Sequence, residues 1–344
     1  MKRFCLAVAG VACLLPGVLV SGGFAQEGAI QARPDWSRIP NLRGFALARL
    51  GFLSSPRPLA RPLATDDWNT GSGNWSLAGN WTAGVPTSSS AVVIGNTTGV
   101  TVTEDLASAA AASLTINSSN ALSIGAGNTL TVTGATSVSS GAYLYVANSG
   151  AGGSTLNSGS LTNAGTLQVG NYYMTSPSTL NVTGTYTGTG GTVLVEAGNT
   201  TGANALMKIS GAAPGTLTGT YQVEAYASSA AIEFGSGGIT SIGDGGSNAG
   251  DVYLQGSLAY METGATSSNS ALKGLSTIAS NGELEIVDGA TLTTTGALTN
   301  DNQLRVDDIG NGGSSLTLGG SLTNGGFTQV GDYYMTSPSN MKVT

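Results

Sequence analysis

Residues 160–178 read SLTNAGTLQVGNYYMTSPS, and residues 321–339 read SLTNGGFTQVGDYYMTSPS. The two stretches lie 161 residues apart. Upstream, TLTVTG (129–134) matches TLTTTG (291–296), and GGSTL (152–156) matches GGSSL (312–316). Small indels shift the offset by a residue or two, so residues near 114–182 and 276–344 form two copies of one unit. Leu-x-Ile or Leu-x-Val recurs within the copies, as Leu114/Ile116, Leu144/Val146, Leu167/Val169, Leu284/Ile286 and Leu304/Val306. Period-two alternation over a few residues marks half-buried strands. Gly, Asn, Ser and Thr separate these strands, as turns require. A unit of this size holds several short strands and is a group of coils. Tandem β-sandwiches and a solenoid both suit short strands. Irregular strand spacing and abundant Gly/Asn corners favour an all-β parallel β-helix, with inward Leu, Ile and Val stacked between coils. At roughly 20 residues per coil, residues 82–344 give about a dozen coils, a rod on the order of 60 Å long. The Ala-rich piece at 107–112 is the one helical temptation, and it is too short to count.

Composition narrows the function. The 344 residues include 53 Gly, 12 basic and 19 acidic side chains, 2 Cys and no His. Charged residues are 9%, against a usual value of about 25%. Without His there is no Ser-His-Asp triad, no Cys-His dyad and no His-ligated zinc. A net charge of -7 argues against nucleic acid as a partner. Lys2 and Arg3, an apolar run from Phe4 to Val20, and small residues at Gly23 and Ala25 have the order of a secretory signal peptide. Cleavage is expected after Ala25. Both cysteines, Cys5 and Cys13, fall in this leader, so the exported chain has no disulfides to staple it. Residues 26–64 carry six Arg against Glu27 and Asp35, and read as an Arg/Pro-rich linker or pro-segment.

Residues 68–95 read WNTGSGNWSLAGNWTAGVPTSSSAVVIG. The spaced Trp68, Trp75 and Trp81, then Gly84-Val85-Pro86, then the strand at 91–94, resemble the opening of bacterial β-strand-repeat surface proteins. Autotransporter passenger domains and exported proteins with a PEP-CTERM anchor are examples. The resemblance implies an exported β-helical stalk at the surface of a Gram-negative bacterium, often with adhesive duties. Such proteins usually end in an outer-membrane barrel or a sorting tail. The sequence here stops in mid-strand at Met341-Lys342-Val343-Thr344, which reads as a fragment or a truncated gene.

Several groups are candidates for contact or chemistry. Residues 65–100 form a Trp-rich N-terminal cap, with the solenoid expected over 101–344; Trp68, Trp75 and Trp81 either cover the first coil or stack on sugar rings. Tyr172-Tyr173 and their repeat, Tyr333-Tyr334, either contact a carbohydrate or a host-cell protein, or pack a recurring corner. Asp301, Arg305, Asp307 and Asp308 are the densest charged group. They would serve a β-helical polysaccharide lyase or hydrolase, or else form a solvated corner. Ca²⁺ is a further option, with Asp244, Asp251, Asp307 and Asp308 near Gly-rich turns. Ser270 and Lys273 fit Ser-x-x-Lys without its companion motifs. The favoured reading is a non-enzymatic, surface-displayed solenoid with no cofactor, and the others are an enzyme or a self-associating matrix component.

Overall fold

The computed structural model describes residues 64–344. The expected leader (1–25), and all but the last residue of the expected linker (26–64), lie outside the described residues. Every ladder of strands among the described residues is parallel, and each strand pairs with its counterparts one coil before and after. That pattern makes the chain a β-solenoid and excludes antiparallel sandwiches. The largest uninterrupted sheet stacks eleven strands, from Gly73–Asn74 through Thr192–Glu196 to Phe327–Val330. At about 4.8 Å per step this face is on the order of 50 Å long.

A coil carries strands on three faces. Near the C-terminal end they are separate: Thr291–Thr294, Leu298–Asn300 and Gln303–Val306. Earlier coils cover two faces with one long strand, such as Thr129–Val138 or Thr155–Asn163, whose register shifts at the bend. Glycines stack at that bend. A Cβ on Gly134 would lie 2.6 Å from Ala112 O, one on Gly159 2.5 Å from Thr133 O, and one on Gly184 2.5 Å from Gly159 O. Only a residue without a side chain lets successive backbones approach so closely.

The core is a set of vertical columns. Val102, Leu122, Leu144, Leu167, Val193, Tyr221, Val252, Leu284 and Leu304 follow one another in register, all buried. The next inward column runs Ile124, Val146, Val169, Val195, Val223, Leu254, Ile286, Val306. Its first member is Glu104, paired with Ile124 and fully buried. The Leu-x-Val signal therefore marks inward positions. Coil length varies more than the periodicity implies. Thr101 pairs with Ala121, 20 residues on, whereas Ser241 pairs with Thr277, 36 residues on. The longest coil spends part of its extra length inside the stack: Ala271, Leu272 and Leu275 are buried, and Asn269 bridges Ala259–Thr263 and Thr291–Thr294, which do not pair with each other. Stacking also begins before residue 101: Ala64–Asp67 pairs with Ser90–Ile94, which pairs in turn with Ser113–Ile116. The Ala-rich piece is a strand, Ser108–Ala111, paired with Thr129–Val132.

Candidate ligand-contact face

The three tryptophans close the first coil from inside. Trp68 and Trp75 are 0% exposed and Trp81 is 3% exposed. Trp81 meets both others edge to face, each at 4.8 Å between ring centroids. Trp68 Nε1 donates to Gly71 O at 2.9 Å, and Trp81 Nε1 to Trp75 O at 2.8 Å. Covered rings have no face to offer a sugar, so sugar stacking by Trp68, Trp75 and Trp81 is ruled out by their burial.

The Asp301–Asp308 group does not converge. Asp301 is exposed beyond the strand Leu298–Asn300, while Asp307 is fully buried with φ +52°. The Asp307 carboxylate accepts from Ser314 N at 2.7 Å, Ser314 Oγ at 2.8 Å and Asp288 N at 2.8 Å, and also from Ser339 Oγ. It holds a corner together and cannot reach a substrate, so the four-residue enzyme site is corrected. Only Arg305 and Asp308 share the outer surface, at 3.4 Å.

The Ca²⁺ set also separates. Asp244 accepts from Gly246 N at 2.7 Å, Asn248 Nδ2 at 2.6 Å and Asn281 Nδ2 at 3.2 Å, and these donors hold its carboxyl down at about 2. Its lone pairs are spent on its own loop and on Asn281 of the next coil. Among the described residues no three acidic side chains converge to hold a metal ion. Ser270 Oγ accepts from Thr263 N at 2.9 Å and pairs with Thr266 Oγ1 at 2.8 Å. Ser270 and the exposed Lys273 line a cleft of about 370 Å³ with Ser268, Asn269, Thr291 and Thr293.

The tyrosine pairs occupy the same corner in both copies. Asn171 Oδ1 accepts from Tyr173 N at 2.8 Å, as Asp332 Oδ1 does from Tyr334 N at 2.7 Å. The bridges Gly152–Ser176 and Gly312–Ser337 close both turns. Met174 plugs the core beneath the first turn while Tyr172 and Tyr173 stand 37% and 80% exposed. Tyr333 and Tyr334 are 93% and 79% exposed. Strand order puts six steps between the strands that lead into the two turns, about 29 Å along the stack.

Beside the first pair lies a feature that sequence reasoning missed. On the outer surface of the eleven-stranded sheet, Glu196 is in register with Glu224, Asp251 with Glu283, and Tyr253 with Glu285. Tyr226 Oη donates to Glu224 at 3.0 Å, and the Tyr226 ring meets Tyr172 edge to face at 4.8 Å. Arg305 answers part of the charge, 3.0 Å from Glu283 and 3.7 Å from Glu285. Burial and then Glu283 push Asp251 up to about 6, against the pull of Arg305. Burial and then the neighbouring Asp308 push Glu285 up to about 7. Burial raises Glu224, and burial followed by Glu224 raises Glu196. Burial and then nearby carboxylates raise the phenols of Tyr226 and Tyr253. The available signal was an alignment of the segments TVLVE (192–196), TYQVE (220–224), DVYLQ (251–255) and ELEIV (283–287) on their inward residues.

Residues 67–189 match the family model of a domain of unknown function, DUF8693. The match takes in the tryptophan-closed coil and the first tyrosine pair. No curated protein and no solved structure matches the chain.

Proposed function

We propose that this chain is an exported, non-enzymatic β-solenoid that works by contact at a cell surface, as an adhesin-like or structural element. The observation that carries this reading is the display of Tyr172-Tyr173 and Tyr333-Tyr334 on one corner, about 29 Å apart along the stack. Exposed aromatic pairs on hydrogen-bonded turns offer contact area at a low ordering cost. Two such pairs on one scaffold add by avidity. The charge-poor surface suits many weak polar contacts, and export rests on the leader-like residues 1–25.

The test is binding of the full chain to a panel of glycans and to intact cells, beside a variant with Tyr172, Tyr173, Tyr333 and Tyr334 all changed to Ala. Loss of binding at an unchanged melting temperature supports the role. Equal binding by the variant removes the observation on which it stands.

A further inference from the structure

We propose that two copies of this chain pair side by side and antiparallel along one corner of the solenoid, so that the Tyr172-Tyr173 turn of each copy meets the Tyr333-Tyr334 turn of the other. This names the partner of the tyrosine turns and rests on the contact role proposed above.

The corner is the row of turns by which the chain leaves the eleven-stranded sheet. Seven such turns stack in order, at 171–177, 197–204, 225–229, 256–258, 288–290, 307–314 and 331–339. Among the described residues eleven large apolar side chains are exposed, and six of them stand on these turns. Besides the four tyrosines they are Leu258, 37% exposed, and Ile309, 51% exposed. The Tyr226 ring, against Tyr172 at 4.8 Å, extends the same stripe from one turn toward the next. Apolar side chains gathered in this way on an otherwise polar surface mark a contact site.

Symmetry says what covers the stripe. The turn 256–258 is the fourth of the seven, with three on either side. A twofold axis through Leu258 therefore lays 171–177 of one copy against 331–339 of the other. It also lays 197–204 against 307–314, and 225–229 against 288–290. The end turns are the duplicated ones, closed by the same bonds from Tyr173 N to Asn171 and from Tyr334 N to Asp332. Both ends of the pair then make the same contact, which is the self-complementarity a twofold interface requires.

Charge sets the direction. The first four turns hold no charged residue, whereas the last three hold Asp288, Asp307, Asp308 and Asp332. Parallel pairing in register would set each acidic turn on its own image. Antiparallel pairing sets every acidic turn on an uncharged one. Glu196 and Glu224, on the sheet beside the corner, leave a like-charge cost that salt screens. At about 100 Å² for each large side chain covered, the stripe buries on the order of 700 Å² per partner, close to the ~800 Å² of a standard interface.

The experiment is analytical ultracentrifugation of the full chain, with oxidative coupling of tyrosines to read the direction. The expected result is a monomer–dimer equilibrium that tightens at least about threefold from about 50 mM to about 500 mM salt. Leu258→Asp sets a carboxylate on its own image at the axis and should weaken the dimer at least about tenfold, at an unchanged melting temperature. If that variant melts lower, Ile309→Asp decides by the same tenfold criterion. Coupling should join Tyr172 or Tyr173 to Tyr333 or Tyr334, which lie about 29 Å apart within one chain and so can be joined only between copies. A monomer at every concentration, a dimer indifferent to these substitutions, or links that join each turn only to its own image overturns the proposal. A monomer that binds glycans or cells through its tyrosines keeps the contact role and loses this partner. A monomer that binds nothing loses both.

Discussion

Glu104 stands where Ile124, Val146 and Val169 stand in the coils that follow. One carboxylate oxygen accepts from Leu106 N at 2.7 Å, while Oε2 is buried with no partner. Trp75 follows Asn74, the partner of Thr103, and its indole N–H is also unpaired. Burial, opposed in part by the Leu106 amide, pushes Glu104 up to about 7 from 4.5. The raised value means that the folded chain binds the proton more tightly than the unfolded one. The contribution of Glu104 to stability is therefore greatest below pH 4.5, falls as pH rises toward 7, and is lost above it. Glu104→Gln should raise stability by about 1–3 kcal/mol above pH 7 and flatten that slope, measured by urea melts across pH. Asp307 makes the opposite case. Asp307→Ala strands Ser314 N, Ser314 Oγ and Asp288 N. It should cost about 1–3 kcal/mol for each buried group left unpaired, seen as a lowered melting temperature. A loss of any activity in that variant would then report a broken corner and not a missing catalyst. Copy one solves the same left-handed position differently, with Ala147 at φ +62° and its carbonyl accepting from Asn171 Nδ2 at 2.6 Å.

At the scale of strands and corners, the inward half of the fold was readable and the outward half was not. Inward residues advertise themselves by alternation, so Leu144/Val146 and Leu304/Val306 fell in the core as their pattern implies. Outward neighbours are set by which strand lies above. That register crosses loops of unequal length, such as Thr192 to Thr220 and Gly250 to Gly282. The Glu196–Glu285 surface was hidden for that reason. The tryptophans were ambiguous because an aromatic residue suits a core and a sugar site equally well, and only burial separates the two. The tyrosine turn was legible because 15 of the 19 residues around it recur in place. The bend glycines give a test at this scale. Gly159→Ala places a methyl 2.5 Å from Thr133 O and should cost a few kcal/mol, about 2–4, whereas Gly71→Ala meets nothing within 4 Å. Thermal melts of the two variants side by side check the contrast.

For the whole solenoid, each coil contacts mainly the coil before and the coil after, so distant parts act independently. The two tyrosine pairs then contribute as separate feet on one rigid scaffold. Removing Tyr172 and Tyr173 alone should weaken attachment to a dense surface by about 10²-fold or more, yet leave affinity for a soluble monovalent fragment changed by only about twofold; surface plasmon resonance at two ligand densities reads both. The unequal coils carry a further consequence. Pairing on one face is kept whether 20 or 36 residues separate partners, while on another the longest coil replaces a strand pairing with the buried turn Ser270–Leu272, so the stack tolerates coils of unequal length. A gene for such a protein can lengthen by copying whole turns in frame, and can acquire new side loops one at a time. The 161-residue duplication is what that kind of growth leaves behind: a molecule whose reach and whose decorations are inherited separately.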